Sequence, residues 1–387
     1  MHTAFMPIKE TSDVIVIGGG AAGMMAALFA ARGGAKVTLV EKNEKLGKKI
    51  YITGKGRCNV TNQCDVDTFL QNVPRNPRFL YSALKEMNPD DLLALLQEYG
   101  CETKVERGRR AFPVSDKASD VTKALEKALR QNGVRILLNT VVLGIRQGEA
   151  GQYSVEVEKG NLPCKAVIIC TGGVSYPSTG STGDGYRFAE KMGLKVTERK
   201  PSLVGLFTKE TWPMQLQGLT LKNICLTGRS CGKIVYSELG EMLFTHFGVS
   251  GPLVIELSSH LPDKGDVSCT LDLKPGLTEE QLDQRLQRDI KAAGKKQVSS
   301  LVQALLPQRM AAVFLEIAGV SGTKMCSQLT GKERSLFVQL LKALPLTVTG
   351  TRPIQEAIVT RGGVDVKEMA PAPWPQKNAP AFILPGK

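Results

Sequence analysis

Metal-ligand spacing is missing from this sequence: its only histidines are His2, His246 and His260, and none of its nine cysteines stands in a Cys-x-x-Cys pair. An odd number of scattered cysteines in a chain of 387 residues fits reduced thiols better than a disulfide framework. No apolar run approaches the roughly 20 residues a membrane span needs, and the N-terminus, with Lys9, Glu10 and Asp13, lacks a signal-peptide core. These absences predict a cytoplasmic protein with no membrane segment and no metal. Internal repeats, low-complexity linkers and the paired aromatic strings of known RNA-binding motifs are absent too. What is present is 42% hydrophobic residues, enough for two or three cores, and 50 basic against 37 acidic residues. The net charge of +13 favours an anionic partner such as RNA without establishing one. Basic residues cluster at Arg107-Arg109-Arg110 and at Lys48-Lys49 with Lys55-Arg57; Lys295-Lys296 reads as a solvated helix face.

The most informative stretch runs from Asp13 to Asn62. Val14-Ile15-Val16-Ile17 reads as a buried parallel strand, Gly18-Gly19-Gly20-Ala21-Ala22-Gly23 as the turn, and Met24 to Arg32 as a helix stopped by Gly33-Gly34. A second apolar run, Val37 to Val40, ends on Glu41. This is the layout of a dinucleotide-binding βαβ unit. Gly18 permits the tight turn, Gly20 lets backbone approach a pyrophosphate, and Gly23 lets helix pack on strand, while Ala21 and Ala22 open the helix. The phosphate charge then faces the unpaired N–H groups of the helix N-terminus. Glu41 sits where a carboxylate accepts hydrogen bonds from a ribose hydroxyl and repels a 2′-phosphate. NAD and FAD share this fingerprint, and a tight turn without ligand is its bland counterpart.

A second glycine-rich loop follows at once, from Glu41-Lys42 through Lys49 to Ile52-Thr53-Gly54-Lys55-Gly56-Arg57-Cys58-Asn59-Val60-Thr61-Asn62. Gly54 and Gly56 permit close backbone approach, Lys49 and Arg57 can face phosphate or flavin oxygens, and Asn59 can donate to a flavin carbonyl. Without a ligand the same residues make a solvated basic loop. Cys58 is a candidate proton donor, since a thiol beside Arg57 can be acidified, and equally a small buried packing residue.

These loops resemble the FAD-binding flavoproteins described as BaiN/RdsA-like, YhiN-like or aminoacetone-oxidase-like. Further agreement lies at Arg110 to Ala118, at Thr179-Gly180-Ser181-Thr182-Gly183-Asp184-Gly185-Tyr186, at Leu216 to Leu219, at Met242 to Pro252 and at Thr360-Arg361-Gly362-Gly363-Val364. The resemblance spans the chain to about residue 371 and implies an α/β fold. A Rossmann-like FAD-binding domain with a three-layer, parallel sheet carries an inserted β-rich domain and a small helical domain. It further implies that backbone near Val142 holds the adenine, and that Thr182 and Gly363 lie in cofactor-facing turns. The residues support this division independently. Ala166 to Cys170 running into Thr171-Gly172-Gly173 reads as a buried strand ending at a ligand-facing turn, and Val134 to Leu138 and Tyr153 to Val157 read as strands. From about Lys200 short alternating strands appear, including Leu219 to Leu226 and Lys233 to Leu239, and helical spacing governs Thr278 to Leu305 and Lys332 to Leu344. Pro353 to Val359 reads as a strand returning to the flavin domain. The expected division is a first FAD-binding part at 1–195, a β-rich insert at 196–275, a helical insert at 276–345 and return strands at 346–387.

The resemblance breaks at the tail. Where the family runs into a segment like Pro-Gly-Leu-Tyr-Phe-Ala-Gly-Glu, this chain reads Pro373 to Lys387, and the closing β-α unit is expected to be absent. With permitted codon choices, the nucleotides for Trp374 to Lys387 read one frame over as that missing motif. The gene sequence decides this, and a genuine tail implies weakened flavin binding.

Family activities imply an oxidoreductase that uses FAD, with NAD(P)H as reductant, to reduce an activated C=C bond. The substrate is a uridine of large-subunit rRNA, giving dihydrouridine, or a small-molecule enone. Hydride adds to the β-carbon, charge develops on the carbonyl oxygen, and the α-carbon takes a proton, so the site needs oxyanion donors and one general acid. His246, a residue type that titrates near neutral pH, is the first candidate for the polar centre, beside the ordinary alternative of a structural histidine. No second dinucleotide fingerprint appears, so nicotinamide must dock against the flavin and leave. The alternatives are an amine or aminoketone oxidase releasing peroxide and a truncated, non-catalytic flavoprotein. Substrate, reductant and oligomeric state are not legible.

Overall fold

The structure, a computed structural model, describes residues 11–148, 151–263, 265–369 and 382–383. It divides into two compact units, one formed by residues 1–200 and 360–387, the other by 201–359.

In the first unit the apolar run Ser12–Ile17 pairs in parallel with Val37–Val40 on one side and Gly160–Ile169 on the other, and Val37–Val40 pairs in parallel with Arg135–Leu137. Tyr153–Val157 and Val142–Gln147 extend the sheet antiparallel. Residue alternation sorts the two faces. Val14, Val16, Leu39 and Ile168 pack with helices Ala21–Arg32 and Ala118–Gln131, whereas Ile15, Ile17, Val40, Val167 and Ile169 pack with Phe188 of helix Asp184–Lys191. Burial on both faces is why these strands read as unbroken apolar runs. Each such side chain contributes roughly 1.5–3 kcal/mol by leaving water. The helix after the opening strand begins at Ala21, three residues earlier than its apolar spacing predicts. Phe382–Ile383 pairs in parallel with Val167–Ile168, so the tail beyond residue 371, where the closing β-α unit was expected to be absent, still adds a short strand to the sheet. The rest of the expected tail departure, residues 370–381 and 384–387, lies outside the described residues.

The second unit is a closed six-stranded barrel of Leu206–Thr208, Gly248–Ser250, Lys233–Thr245, Thr220–Ser230, Val267–Asp272 and Leu344–Thr351. Closure removes the exposed edges that an open sheet would leave. Helices Glu279–Ala293, Val298–Gln303, Gln308–Ala318 and Gly331–Lys342 share one core with it, so that Leu282, Leu286, Phe314 and Phe337 join Leu271 and Leu344. The β-rich and helical inserts are thus one body. Unit boundaries fall at 200/201 and 359/360, and Leu344–Thr351, expected to return to the flavin domain, closes the barrel instead. The expected strand at Pro353 to Val359 is a 3-10 turn at Ile354–Glu356 followed by the short strand Val359–Arg361.

Candidate functional site

The first glycine loop is shaped by contacts that exclude side chains. Gly18 has φ of 104°, and a Cβ there would lie 2.4 Å from the Cys170 carbonyl oxygen; one on Gly23 would lie 1.8 Å from the Gly18 oxygen. A Cβ on Gly20, by contrast, would meet nothing within 4 Å. Gly20 is also the N-cap of helix Ala21–Arg32, which has no side-chain cap and no acidic residue in its first turn. An open space therefore faces a helix N-terminus whose leading donors lack a side-chain acceptor, the arrangement that accepts a pyrophosphate.

Glu41 is buried, and its carboxylate braces that loop from the end of the second strand. Its Oε2 accepts the Gly19 N–H at 2.6 Å, and its Oε1 accepts the Asn43 N–H at 2.8 Å and the Asn43 Nδ2 at 2.7 Å. Lys42 turns to the second glycine turn, donating to Thr182 Oγ1 at 2.6 Å and Asp184 Oδ2 at 2.8 Å. Thr171 Oγ1 accepts the Gly185 N–H at 2.9 Å, and a Cβ on Gly172 would lie 2.8 Å from Ser181 Oγ. Gly18, Glu41, Lys42, Thr171, Gly172 and Thr182 are so brought together beyond the carboxyl ends of the parallel strands, where open α/β sheets take ligands.

The second loop separates its expected residues. Lys49 is half-buried, donates to Ser175 Oγ at 2.7 Å and to the Ser175 carbonyl at 3.2 Å, and has no carboxylate partner among the described residues. Burial holds its pKa below the ordinary 10.5. A cation in that state gains from an arriving anion. Arg57, expected to face phosphate or flavin, is committed elsewhere: its guanidinium bonds Glu106 and Asp116 and lies 4.2 Å from the centre of the Phe112 ring. With Arg57 so neutralised, the expected acidification of Cys58 fails. The thiol is buried in the core, and desolvation pushes its pKa up, opposed only by a hydrogen bond with Thr53. Cys58 is a packing residue. Asn59 beside it is exposed, with no side-chain partner among the described residues.

Val142 is buried opposite Val157 at the start of its strand. Gly363 is explained by packing: its carbonyl accepts the Thr197 N–H at 2.7 Å, and a Cβ would lie 3.1 Å from the Tyr186 ring. In the second unit His246 is exposed at the tip between Lys233–Thr245 and Gly248–Ser250, its imidazole edge-on to Phe247 at 5.1 Å and without a hydrogen bond among the described residues. The neighbouring Thr245 hydroxyl is buried and unpartnered.

Sequence reasoning missed Asn43, the carboxylates that hold Arg57, and Thr360, whose hydroxyl accepts the N–H groups of Val174 and Ser175 at 3.0 and 3.2 Å. Thr360 had left a signal as the first residue of its glycine string, and Asp116 one as a member of the Arg110 to Ala118 string.

A family model described as HI0933-like protein Rossmann domain matches residues 12–386. The chain belongs to this family. A ribosomal RNA dihydrouridine synthase of Haemophilus influenzae is 31% identical over 366 residues, 93% of this chain and 88% of that protein. A 3-dehydro-bile acid delta(4,6)-reductase of Clostridium scindens is 29% identical over 381 residues, 96% and 91% of the two chains, and a ribosomal RNA dihydrouridine synthase of Escherichia coli is 27% identical over 384, 98% and 92%. As a member of the HI0933-like family the chain is an FAD-dependent oxidoreductase on a Rossmann-like domain. The open cradle at Gly20, the uncapped helix and the unneutralised Lys49 fit that cofactor.

Proposed function

We propose that this chain reduces the activated C=C bond of a uracil ring in ribosomal RNA, drawing its electrons from NAD(P)H. The observation that carries the reading is near full-length similarity to two synthases that make dihydrouridine in ribosomal RNA. The bile acid reductase supports a second reading, a small-molecule enone, because both substrates place an alkene beside a carbonyl. Bound FAD supplies hydride transfer from a nicotinamide to such an electron-poor carbon.

The chain's own residues then bind, orient and move a proton. The helix N-terminus at Gly20, Ala21 and Ala22 takes the pyrophosphate charge. Glu41, whose oxygens keep a lone pair after accepting three N–H groups, takes a ribose hydroxyl. Lys49 offsets an anionic oxygen and Asn59 donates to a flavin carbonyl. Thr171, Gly172, Lys42 and Thr182 line the approach, and Val142 holds the adenine. Arg57 positions the second loop through Glu106 and Asp116, and Gly363 keeps the chain close to Tyr186. His246 gives the α-carbon its proton, since its imidazole is exposed and not committed to a hydrogen bond.

Purified protein should be yellow, bleach anaerobically with NADPH or NADH, and restore dihydrouridine to the ribosomal RNA of cells that lack the gene. A folded, colourless protein rules out the flavoenzyme. Oxygen consumption with peroxide release and unchanged RNA would replace the reductase by an oxidase.

A further inference from the structure

Residues 59–88 form two short helices, Val66–Gln71 and Tyr81–Glu86, around a 3-10 turn at Pro77–Leu80, and not one residue of that stretch is buried. Phe79 is 40% and Tyr81 42% exposed. A cavity of about 510 Å³ opens there, lined by Leu70, Gln71, Pro77, Arg78 and Tyr81. Between residues 72 and 85 the chain carries Arg75, Arg78 and Lys85 and no acid. Folded elements normally bury an apolar stripe. This one keeps its aromatic and aliphatic side chains at the surface among cations.

The patch is continuous with the second glycine loop. Gln63 N–H donates to the Arg109 carbonyl at 2.7 Å and Asn62 Nδ2 to the Gly108 carbonyl at 2.8 Å, so the segment is tied to the hairpin tip Arg107-Gly108-Arg109-Arg110. All four tip residues are exposed. Thr61–Asn62, which pair with Ala111 and Arg110, begin two residues after Asn59. Of the nearby acids, Asp65 caps its own helix through Thr68, Asp90 accepts from Gln63 and Glu106 holds Arg57, while Asp67 and Glu86 sit on the two helices outside the 72–85 stretch.

Resting on the proposed rRNA substrate, we infer that this surface docks the single-stranded RNA flanking the target base. Arginines of the hairpin tip and Arg78 take phosphates, and a base stacks on Tyr81 over the apolar cavity. Both contacts are sequence-tolerant and together make a single-strand platform. Lys85 covers one face of Tyr81, its ammonium 4.7 Å from the ring centre, which leaves a basic, aromatic ledge for one base.

The test uses full-length holoprotein and a fluorescein-labelled, uridine-rich single-stranded RNA of about 20 nucleotides, longer than one such platform requires. Anisotropy is read across a salt series, with a duplex of the same length as control. The triple variant Arg78→Gln/Arg107→Gln/Arg109→Gln should weaken binding at least tenfold and lower the salt slope by about 2, the value for three lost phosphate contacts on a single strand. Tyr81→Ala should weaken it roughly tenfold without changing that slope. Both variants should keep wild-type flavin content and reduction of an enone, so lost docking is distinguishable from a lost reductase. Equal binding by all three proteins, or a preference for duplex, would overturn the inference. So would a concentration-dependent dimer that the same substitutions dissolve, since the surface would then belong to a second copy.

Discussion

In the first loop of the nucleotide-binding unit the one left-handed position is glycine, and two of its glycines are enforced by a neighbour's backbone: Cys170 oxygen against Gly18, Gly18 oxygen against Gly23. In the second, Lys55 and Cys58 adopt the left-handed conformation beside Gly54 and Gly56, with φ of 58° and 62°. Such residues cost about 1–2 kcal/mol each relative to glycine. The second loop keeps its shape because the rest of the unit holds it, with Cys58 buried in the core and Arg57 pinned between two carboxylates. One loop is relaxed and self-determined, the other strained and held from outside. Backbone strain of this kind gathers at functional sites.

The comparison breaks hardest at Gly23. Gly23→Ala forces a methyl into the Gly18 carbonyl and should cost about 2–3 kcal/mol of stability, an overpacking penalty read from urea unfolding, with flavin lost as a consequence. Wild-type unfolding would show that the first loop yields after all.

Lys49→Met should leave the apoprotein as stable or more so near neutral pH while weakening flavin binding by about 2 kcal/mol, the range of a charge-assisted hydrogen bond. Its pH signature follows from burial. The folded-state pKa is depressed below 10.5, so from that depressed value up to 10.5 the unfolded chain binds the proton that the folded chain has lost. Apoprotein stability should therefore rise with pH through that interval, and Lys49→Met should abolish this rise. Denaturant midpoints measured from pH 7 to about 10 decide it, and an unchanged rise would show that Lys49 is not its source.

Much of the relaxed loop was legible in sequence because its signals are local. Four apolar residues, spaced glycines and an acid at the end of the next strand sit within thirty residues, and the strand at Tyr153–Val157 falls where its alternation places it. Inserted helices were legible by the same rule, with Leu282 and Leu286 on one face. The held loop was only half legible. Arg57 and Asn59 were visible as residue types, but the partners that turn Arg57 away lie 49 and 59 positions along the chain, and no spacing announces them. Cys58 was misjudged for the same reason, because a neighbouring arginine acidifies a thiol only while its charge is unspent. Leu344–Thr351 was hidden by Pro345, which argues against a central strand yet sits opposite Thr270 in the barrel.

Gly20→Ala tests whether fold and binding separate within the relaxed loop. The new methyl meets nothing within 4 Å, so the loss of stability should be confined to alanine's poorer N-capping, about 0.5–1 kcal/mol. Flavin affinity should fall about tenfold, or 1.4 kcal/mol, because the methyl occupies the space before the helix N-terminus. Titration of apoprotein with FAD measures it, and undiminished affinity would place the pyrophosphate elsewhere.

The smallest effect carries the sharpest sign. Lys55→Gly removes an exposed side chain from a left-handed position, which relieves about 1–2 kcal/mol of backbone strain. The unfolded chain gains freedom worth about 0.4–1 kcal/mol in return. Relief exceeds that offset, so the variant should be more stable by about 0.5 kcal/mol, a change a urea midpoint resolves. Substitution at Gly23 and substitution at Lys55 thus move stability in opposite directions, glycine being required in one loop and merely preferred in the other. A destabilised Lys55→Gly protein would mean that the lysine side chain itself helps to hold the loop.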